Sequence, residues 1–357
     1  MNLLKRLFLI LCLALPVGAS AQLVYHDASI LPLLGKATKV TQDRYVRLPD
    51  SLQNQVRKEL TGLGQNSAGM ALRFRTNSTC IKARWTVRNN FGMAHMTQIG
   101  VKGVDLYGWD DGAWYFAGSG FPKGKQSESM LVKNMSPEMR EYLLYLPLYD
   151  GALQVEIGID SLATLEQPLL DLPRRDKPLV FYGTSILQGG CANRPGMAHT
   201  NILSRWLQRE CINLGFSGNA RLDIEVARVM AATDASLYVL DFLPNVTLEQ
   251  MKQRIDAFYT LLRQAHPEVP ILFVENPPFP HGRFNTEVAR EVAEENAWLR
   301  QYVKRLRRAG DKHVSLFTSE KMIGKDGEAT VDGCHFTDLG FMRYAEQLFP
   351  VLKKLLK

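Results

Sequence analysis

Four short runs of this 357-residue chain hold side chains that can do chemistry together. Phe181-Tyr182-Gly183-Thr184-Ser185 leads an apolar run through a glycine to a serine. Asn213-Leu214-Gly215-Phe216 ends a second apolar run, and Leu240-Asp241-Phe242-Leu243-Pro244-Asn245 ends a third. Asp332-Gly333-Cys334-His335 lies near the C-terminus, just ahead of Thr337. A serine hydroxyl is a weak nucleophile until a neighbouring base takes its proton. His335 is a base suited to neutral pH, and Asp332 on the same short loop can hold the imidazole in the useful tautomer. Attack on an ester carbonyl creates an oxyanion, which needs fixed donors. The backbone N–H groups of Ser185 and Gly215 and the side-chain amide of Asn245 are three candidates. Gln188 and Arg194, in the loop after the nucleophile, and Glu275, after a fourth apolar run, are candidates to line the crevice.

Each of these residues also has a plainer reading. His335 can be a histidine flanking a helix, and Asn245 a turn residue before one. Gly215 can be needed for backbone freedom alone. Gln188 and Arg194 can be solvated loop residues, and Glu275 can simply end a strand. The ordered set, rather than any member, favours the chemical reading.

The elements that must position these groups fall into two halves. From residue 22 to about 160 the chain reads as strands and turns. Met70–Thr76 and Thr79–Val87 alternate apolar and polar residues around Asn77-Ser78, which predicts a hairpin. Further strands are expected at Thr97–Val101, Ala113–Ala117, Tyr142–Leu146 and Leu153–Ile159, and a helical pattern at Ser51–Leu60. This half predicts a jelly-roll-like β-sandwich. The Pro- and charge-rich residues 161–177 read as a linker. From 178 to 357, apolar runs at Leu179–Tyr182, Ile212–Leu214, Leu237–Leu240, Ile271–Val274 and Val314–Phe317 suit buried parallel strands. Amphipathic helices are expected at Leu248–Ala265, opened by a Thr247-x-x-Gln250 capping box, at Thr286–Arg308, and from Asp338 to the end. Strand alternating with helix predicts an α/β domain, a five-stranded parallel sheet covered on both faces. Its catalytic groups should gather at the C-terminal strand ends.

Composition narrows the setting. Hydrophobic residues make up 46% and charged residues 22%, enough apolar material for real cores. The formal charge of +7 is spread along the chain, with no dense basic run interleaved with aromatics, which argues against nucleic acid. Lys5 and Arg6, the apolar run Leu7–Leu15 and Ala19-Ser20-Ala21 read as a signal peptide over residues 1–21. The expectation is cleavage after Ala21, a secreted or periplasmic protein, and no transmembrane span afterwards. Cys80, Cys191, Cys211 and Cys334 show no C-x-x-C spacing, and the histidines show no metal-ligand spacing, so no metal is expected. Export permits disulfides; Cys191 and Cys334, each near a candidate catalytic residue, are the pair to consider. Trp85, Trp109, Trp114 and Tyr107 can stack on sugar rings, but sandwich core and edge positions are the favoured reading.

The blocks Gly183-Thr184-Ser185-Ile186, Gly215, Asn245 and Asp332-x-x-His335 resemble, in order, the four blocks of the SGNH (GDSL-like) hydrolases. Gly103-Val104-Asp105-Leu106-Tyr107 is similar to the Gly-x-Asp-Leu-Tyr signature of a β-domain that precedes the hydrolase domain in one bacterial branch. Thr184 stands where the classical block has Asp, and the third block reads Leu-Pro-Asn rather than Gly-x-Asn-Asp. The resemblance implies a flavodoxin-like domain, no cofactor, and ester cleavage through an acyl-enzyme. Acetylated sugars are frequent substrates in that branch. The expectation is therefore a serine acetylesterase acting on an acetylated carbohydrate or another ester. A lipase, phospholipase or thioesterase of the same fold, and a catalytically silent carbohydrate-binding protein, are the alternatives.

Overall fold

The computed structural model describes residues 22–38, 41–52 and 55–357; the expected signal peptide lies outside them. The first part of the chain is antiparallel. Its strands are β1 (Leu23–Asp27), β2 (Leu33–Leu34), β3 (Ala71–Thr76), β4 (Ile81–Val87), β5 (Val104–Asp110), β6 (Ala113–Gly120), β7 (Gln126–Val132), β8 (Arg140–Tyr145), β9 (Ala152–Asp160) and β10 (Leu165–Glu166). Two short helices, α1 (Lys58–Gly64) and α2 (Gln98–Lys102), interrupt them. The strands form two sheets, β1-β9-β4-β7 and β10-β3-β8-β5-β6, with β2 beside β3. Alternation along each strand sends Phe74, Trp85, Leu106, Leu144 and Ile157 into one core between the sheets.

The helix expected at Ser51–Leu60 is displaced to α1, Lys58–Gly64, and two strand expectations fail here. β3 and β4 are not a hairpin, because β3 pairs with β8 and β4 with β9, in different sheets. The Asp160 carboxylate holds the crossing, accepting from the Ser78 hydroxyl at 3.0 Å and the Thr79 N–H at 2.7 Å. The expected strand at Thr97–Val101 is instead α2, because Thr97 caps it by accepting the Gly100 N–H at 3.1 Å.

The second part contains β11 (Arg174–Gly183), β12 (Arg209–Gly215), β13 (Leu237–Asp241), β14 (Ile271–Val274) and β15 (Val314–Phe317). The helices are α3 (Ser185–Gln188), α4 (His199–Leu207), α5 (Ile224–Ala231), α6 (Leu248–Ala265), α7 (Thr286–Arg308) and α8 (Asp338–Leu355). The five strands form one parallel sheet in the order β12-β11-β13-β14-β15, the flavodoxin-like order. Val180 and Tyr182 of β11 pack with α5, α6 and α7, while Leu179 and Phe181 pack with α4 and α8. Both faces are therefore covered, which is why these strands carry continuous apolar runs. Thr247 and Gln250 form the expected capping box of α6. Among the described residues no helix is long and apolar enough to cross a membrane.

The boundary between the halves is less simple than a linker. Within 161–177, β10 pairs with β3, and β11 already begins at Arg174, opposite Arg209. Leu48, Leu52 and Leu60 leave the sandwich altogether and join the core beside β11 and β12. Arg47 fastens this segment. Its buried guanidinium donates to the carbonyls of Asn66 (2.9 Å), Asn213 (3.1 Å), Gly215 (2.7 Å) and Leu63 (2.7 Å). Burial pulls its pKa down to about 9. Arg47→Ala would strand these acceptors and open a cavity. The expected loss, read by denaturant unfolding, is at least about 3 kcal/mol; Arg47→Lys should recover only part, since an ammonium cannot reproduce the fork.

Candidate active site

Ser185 follows a strand end that two glycines, Gly183 on β11 and Gly215 on the neighbouring β12, make possible. Gly183 pairs with Gly215 on one side and Asp241 on the other. A Cβ on Gly183 would lie 2.3 Å from the Asp241 carbonyl oxygen, so the strand can end here only without a side chain. Thr184 then caps α3 by accepting the Ile186 N–H, and Ser185 is the helix's first residue. Gly215 is needed for the same kind of reason: a Cβ there would lie 2.3 Å from the Gln188 nitrogen of α3.

His335 comes from the loop before α8. Thr330 and Phe336 form a β-bridge across the loop's base, and Thr337 caps the helix. Gly333, at φ +88°, supplies the left-handed residue that the reversal requires. Asp332 accepts the backbone N–H groups of Cys334 (3.0 Å) and His335 (2.8 Å) with Oδ1, leaving Oδ2 for the imidazole. The His335 Nδ1 to Asp332 Oδ2 distance is 2.7 Å, and His335 Nε2 lies 2.9 Å from Ser185 Oγ. The chain of contacts is therefore carboxylate, imidazole, hydroxyl. With Nδ1 protonated toward Asp332, the Nε2 lone pair faces the hydroxyl proton. The hydrogen bonds from His335 and the two N–H groups outweigh the effect of burial and hold the Asp332 carboxyl at about 2, against an ordinary 3.8. Its stabilising contribution is thus intact above the ordinary value and is lost as pH falls toward 2.

The candidate oxyanion donors do not all survive. The Gly215 N–H is already committed to Asn213 Oδ1 at 2.9 Å, so Gly215 is a packing residue and not a free donor. Three residues along the same loop, the Gly218 N–H has no partner among the described residues, nor has that of Ser185. Sequence reading passed over Gly218 because nothing in residue type tells which N–H a side chain will occupy. Asn245 accepts the Ala220 N–H with Oδ1 at 3.2 Å, which leaves its NH2 group free to donate.

The three candidate lining residues are structural. Gln188 is buried; it donates to the Leu148 carbonyl (3.1 Å) and accepts the Ser217 N–H (3.0 Å), tying α3 to both domains. Glu275 is buried against Arg300 and also accepts the Ser319 N–H at 2.9 Å. Arg194 pairs with Asp105 at 2.7 Å and lies 4.0 Å over the Phe116 ring, docking the post-nucleophile loop on the sandwich. Asp105 is fully buried and also accepts the Gly196 N–H at 2.9 Å. Burial raises its carboxyl above the ordinary range, while Arg194 acts in the opposite sense. Trp85 and Tyr107 are core residues, as favoured, and Trp109 stacks edge-on against Trp114 at 5.1 Å.

All four described cysteines are free thiols, so Cys191 and Cys334 are not bridged. Two further histidines, in neither case a candidate from sequence, stand at the site. His281 Nδ1 lies 2.6 Å from the Gly333 carbonyl. His95, carried by the sandwich, lies 5.5 Å ring to ring from His335. No periodicity or spacing links residue 95 to residue 335; only the docking of the domains does.

The comparisons agree with this architecture. Residues 176–353 match the GDSL-like Lipase/Acylhydrolase family, and residues 23–165 match the N-terminus of the SGNH-hydrolase-type esterases. A crystal structure from Bacteroides ovatus ATCC 8483, described as a GDSL-like lipase, is 38% identical, covers 94% of this chain and 98% of its own, and superposes with a TM-score of 0.89. The chain belongs to the GDSL-like (SGNH) hydrolase family, with the Gly-x-Asp-Leu-Tyr domain at its N-terminal side. Two less identical structures share the fold. One is the salicylyl-acyltransferase SsfX3 of a tetracycline biosynthetic pathway, with 19% identity, TM-score 0.75, and coverage of 94% of this chain and 97% of that one. The other is a family two carbohydrate esterase from Clostridium thermocellum, with 14% identity, TM-score 0.56, and coverage of 81% and 93%. No curated protein matches.

Two variants test this geometry separately. Asp332→Asn should keep the loop but misdirect the imidazole, lowering kcat for an activated ester by ~10²–10⁴. Asp105→Asn leaves Arg194 facing a neutral amide and should cost about 3–5 kcal/mol of unfolding free energy, read by denaturation.

Proposed function

We propose that the protein is an exported serine esterase that removes O-acetyl groups from oligo- or polysaccharides. The observation that carries it is the unbroken contact from Asp332 through His335 to Ser185. In this reading His335 takes the hydroxyl proton as Ser185 attacks the carbonyl. The Ser185 and Gly218 N–H groups and the Asn245 amide hold the oxyanion. His335 then protonates the leaving alcohol, and water activated by the same imidazole releases the acid from the acyl-serine. Export rests on the composition of residues 1–21.

The saccharide part is supported by the groove beside Asn245 and Cys334. It encloses about 500 Å3 and is lined by Phe279, His281, Asn276, Glu291 and Glu295 among others. Asn276 Oδ1 is buried there with no partner among the described residues. Its amide NH2 donates to Glu295 at 2.6 Å, and burial, with Glu291 and Glu294 adding, pushes the Glu295 carboxyl up to about 7. A groove with His281, Arg290, Glu291, Glu294 and Glu295 in its lining suits an alcohol rich in hydroxyls better than a hydrocarbon tail.

The purified protein should hydrolyse p-nitrophenyl acetate and release acetate from acetylated xylan. Ser185→Ala should abolish both, and Asn245→Ala should lower kcat by ~10²–10³. Turnover confined to long acyl chains would overturn the acetyl-saccharide reading. Activity surviving in Ser185→Ala would overturn the nucleophile.

A further inference from the structure

His95, Cys191 and His335 each offer one ligand atom, and these atoms lie within 4.8 Å of one another. The three come from separate places: a loop of the sandwich, the loop after α3, and the loop before α8. We propose that they form a site for a thiophilic divalent cation, Zn2+, and that its occupation switches the esterase off. The inhibition rests on the serine-esterase reading; the binding does not.

The ligand set fits the ion. Zn2+ takes Cys sulfur at ~2.3 Å and His nitrogen at ~2.0–2.1 Å in a tetrahedron, which places the ligand atoms of this set roughly 3.3–3.6 Å apart. The ligand atoms present, within 4.8 Å of one another, are already close to that separation. One thiolate and two imidazoles select Zn2+ over oxygen-seeking Mg2+ or Ca2+. The three protein ligands leave a fourth position for water. Binding replaces the Cys191 S–H bond by a zinc–sulfur bond, and the proton goes to solvent.

The site is preorganised because the His95 loop is seated on the Cys191 loop. Buried Asp150 accepts the Asn89 N–H at 3.0 Å and the Phe91 N–H at 2.9 Å, fixing the loop's start. Met96 is buried in the same hydrophobic core as Cys191, Ala192 and Phe336. The Thr97 hydroxyl donates to the Asn193 carbonyl. Gly100 sits so close that a Cβ would lie 2.2 Å from the Ala192 carbonyl oxygen. On the other side, the Cys191 N–H donates to the Phe336 carbonyl at 3.1 Å, next to His335. His95 and Cys191 are thus held beside the catalytic imidazole without any contact that the esterase chemistry uses.

The consequence for turnover follows from the imidazole. Both His335 nitrogens are engaged, Nδ1 with Asp332 and Nε2 with Ser185. A metal on either nitrogen removes one of those contacts, so a loaded site cannot activate the serine.

Co2+ serves as the spectroscopic probe and Zn2+ as the functional one, both with the purified full protein. One equivalent of Co2+ should give tetrahedral visible bands and a thiolate charge-transfer band. The charge-transfer band should vanish in Cys191→Ser, and Co2+ affinity should fall at least tenfold in His95→Ala. Zn2+ should inhibit p-nitrophenyl acetate hydrolysis reversibly, with a chelator restoring the rate. The half-inhibiting concentration, measured against each variant's own metal-free rate, should rise at least tenfold in His95→Ala and in Cys191→Ser. Absence of the charge-transfer band, its persistence in Cys191→Ser, or equal inhibition of all three proteins would overturn the site. Normal Co2+ binding without Zn2+ inhibition would keep the site, overturn its role as a switch, and point back to the assignment of His335.

Discussion

Ser185, the proposed nucleophile, rides on a helix of only four residues, and a helix that short has no stability of its own. Its position must be imposed from outside, and much of the molecule is arranged to impose it. From the sheet, Gly183 lets β13 approach the end of β11, and Gly215 lets β12 approach α3, with no side chain between them. From the sandwich, the Tyr149 hydroxyl donates to the Ser185 carbonyl at 3.1 Å, and the Leu148 carbonyl receives the Gln188 amide. Gln188 in turn accepts the Ser217 N–H, which ties the helix to the Gly218 loop. The antiparallel domain therefore takes part in building the catalytic end of the parallel one.

That dependence explains why charged groups are buried at the junction. Asp105 of the Gly-x-Asp-Leu-Tyr segment and Arg194 of the post-nucleophile loop are drawn out of water together, at a desolvation cost that hydrogen bonds must offset. The Gly196 N–H supplies one such bond, and the Phe116 and Tyr107 rings cover the guanidinium. Arg47 repeats the pattern on the other face with carbonyls instead of a carboxylate. A purely apolar junction would bury the same area with less cost but would fix neither loop in register. Here the polar contacts select one docking, and His95 reaches the imidazole as a result.

The catalytic loop shows the same economy at smaller scale. Asp332 divides its two oxygens between shaping its own loop and orienting His335. Because these contacts hold the carboxyl well below its ordinary value, it stays ionised wherever the imidazole is a useful base.

By itself the sequence determined the parallel sheet, the long helices and the order of the candidate site residues. Buried strands such as Ile271–Val274 and Val314–Phe317 match their apolar runs, and α6 and α7 match their amphipathic spans, because these signals are local and periodic. The Asp332/His335 pairing was legible for the same reason, being three residues apart on one loop. Only the tertiary structure decided the rest. Which sheet β4 joined depended on Asp160, far along the chain. Whether Gly215 or Gly218 kept a free N–H depended on where the Asn213 side chain turned. Gln188, Arg194 and Glu275 have polar side chains suited to a crevice, yet each found its partner inside the protein. His95 came to the site through a contact between domains. Such choices are settled by which donor meets which acceptor across the fold, and residue type and spacing carry no record of that.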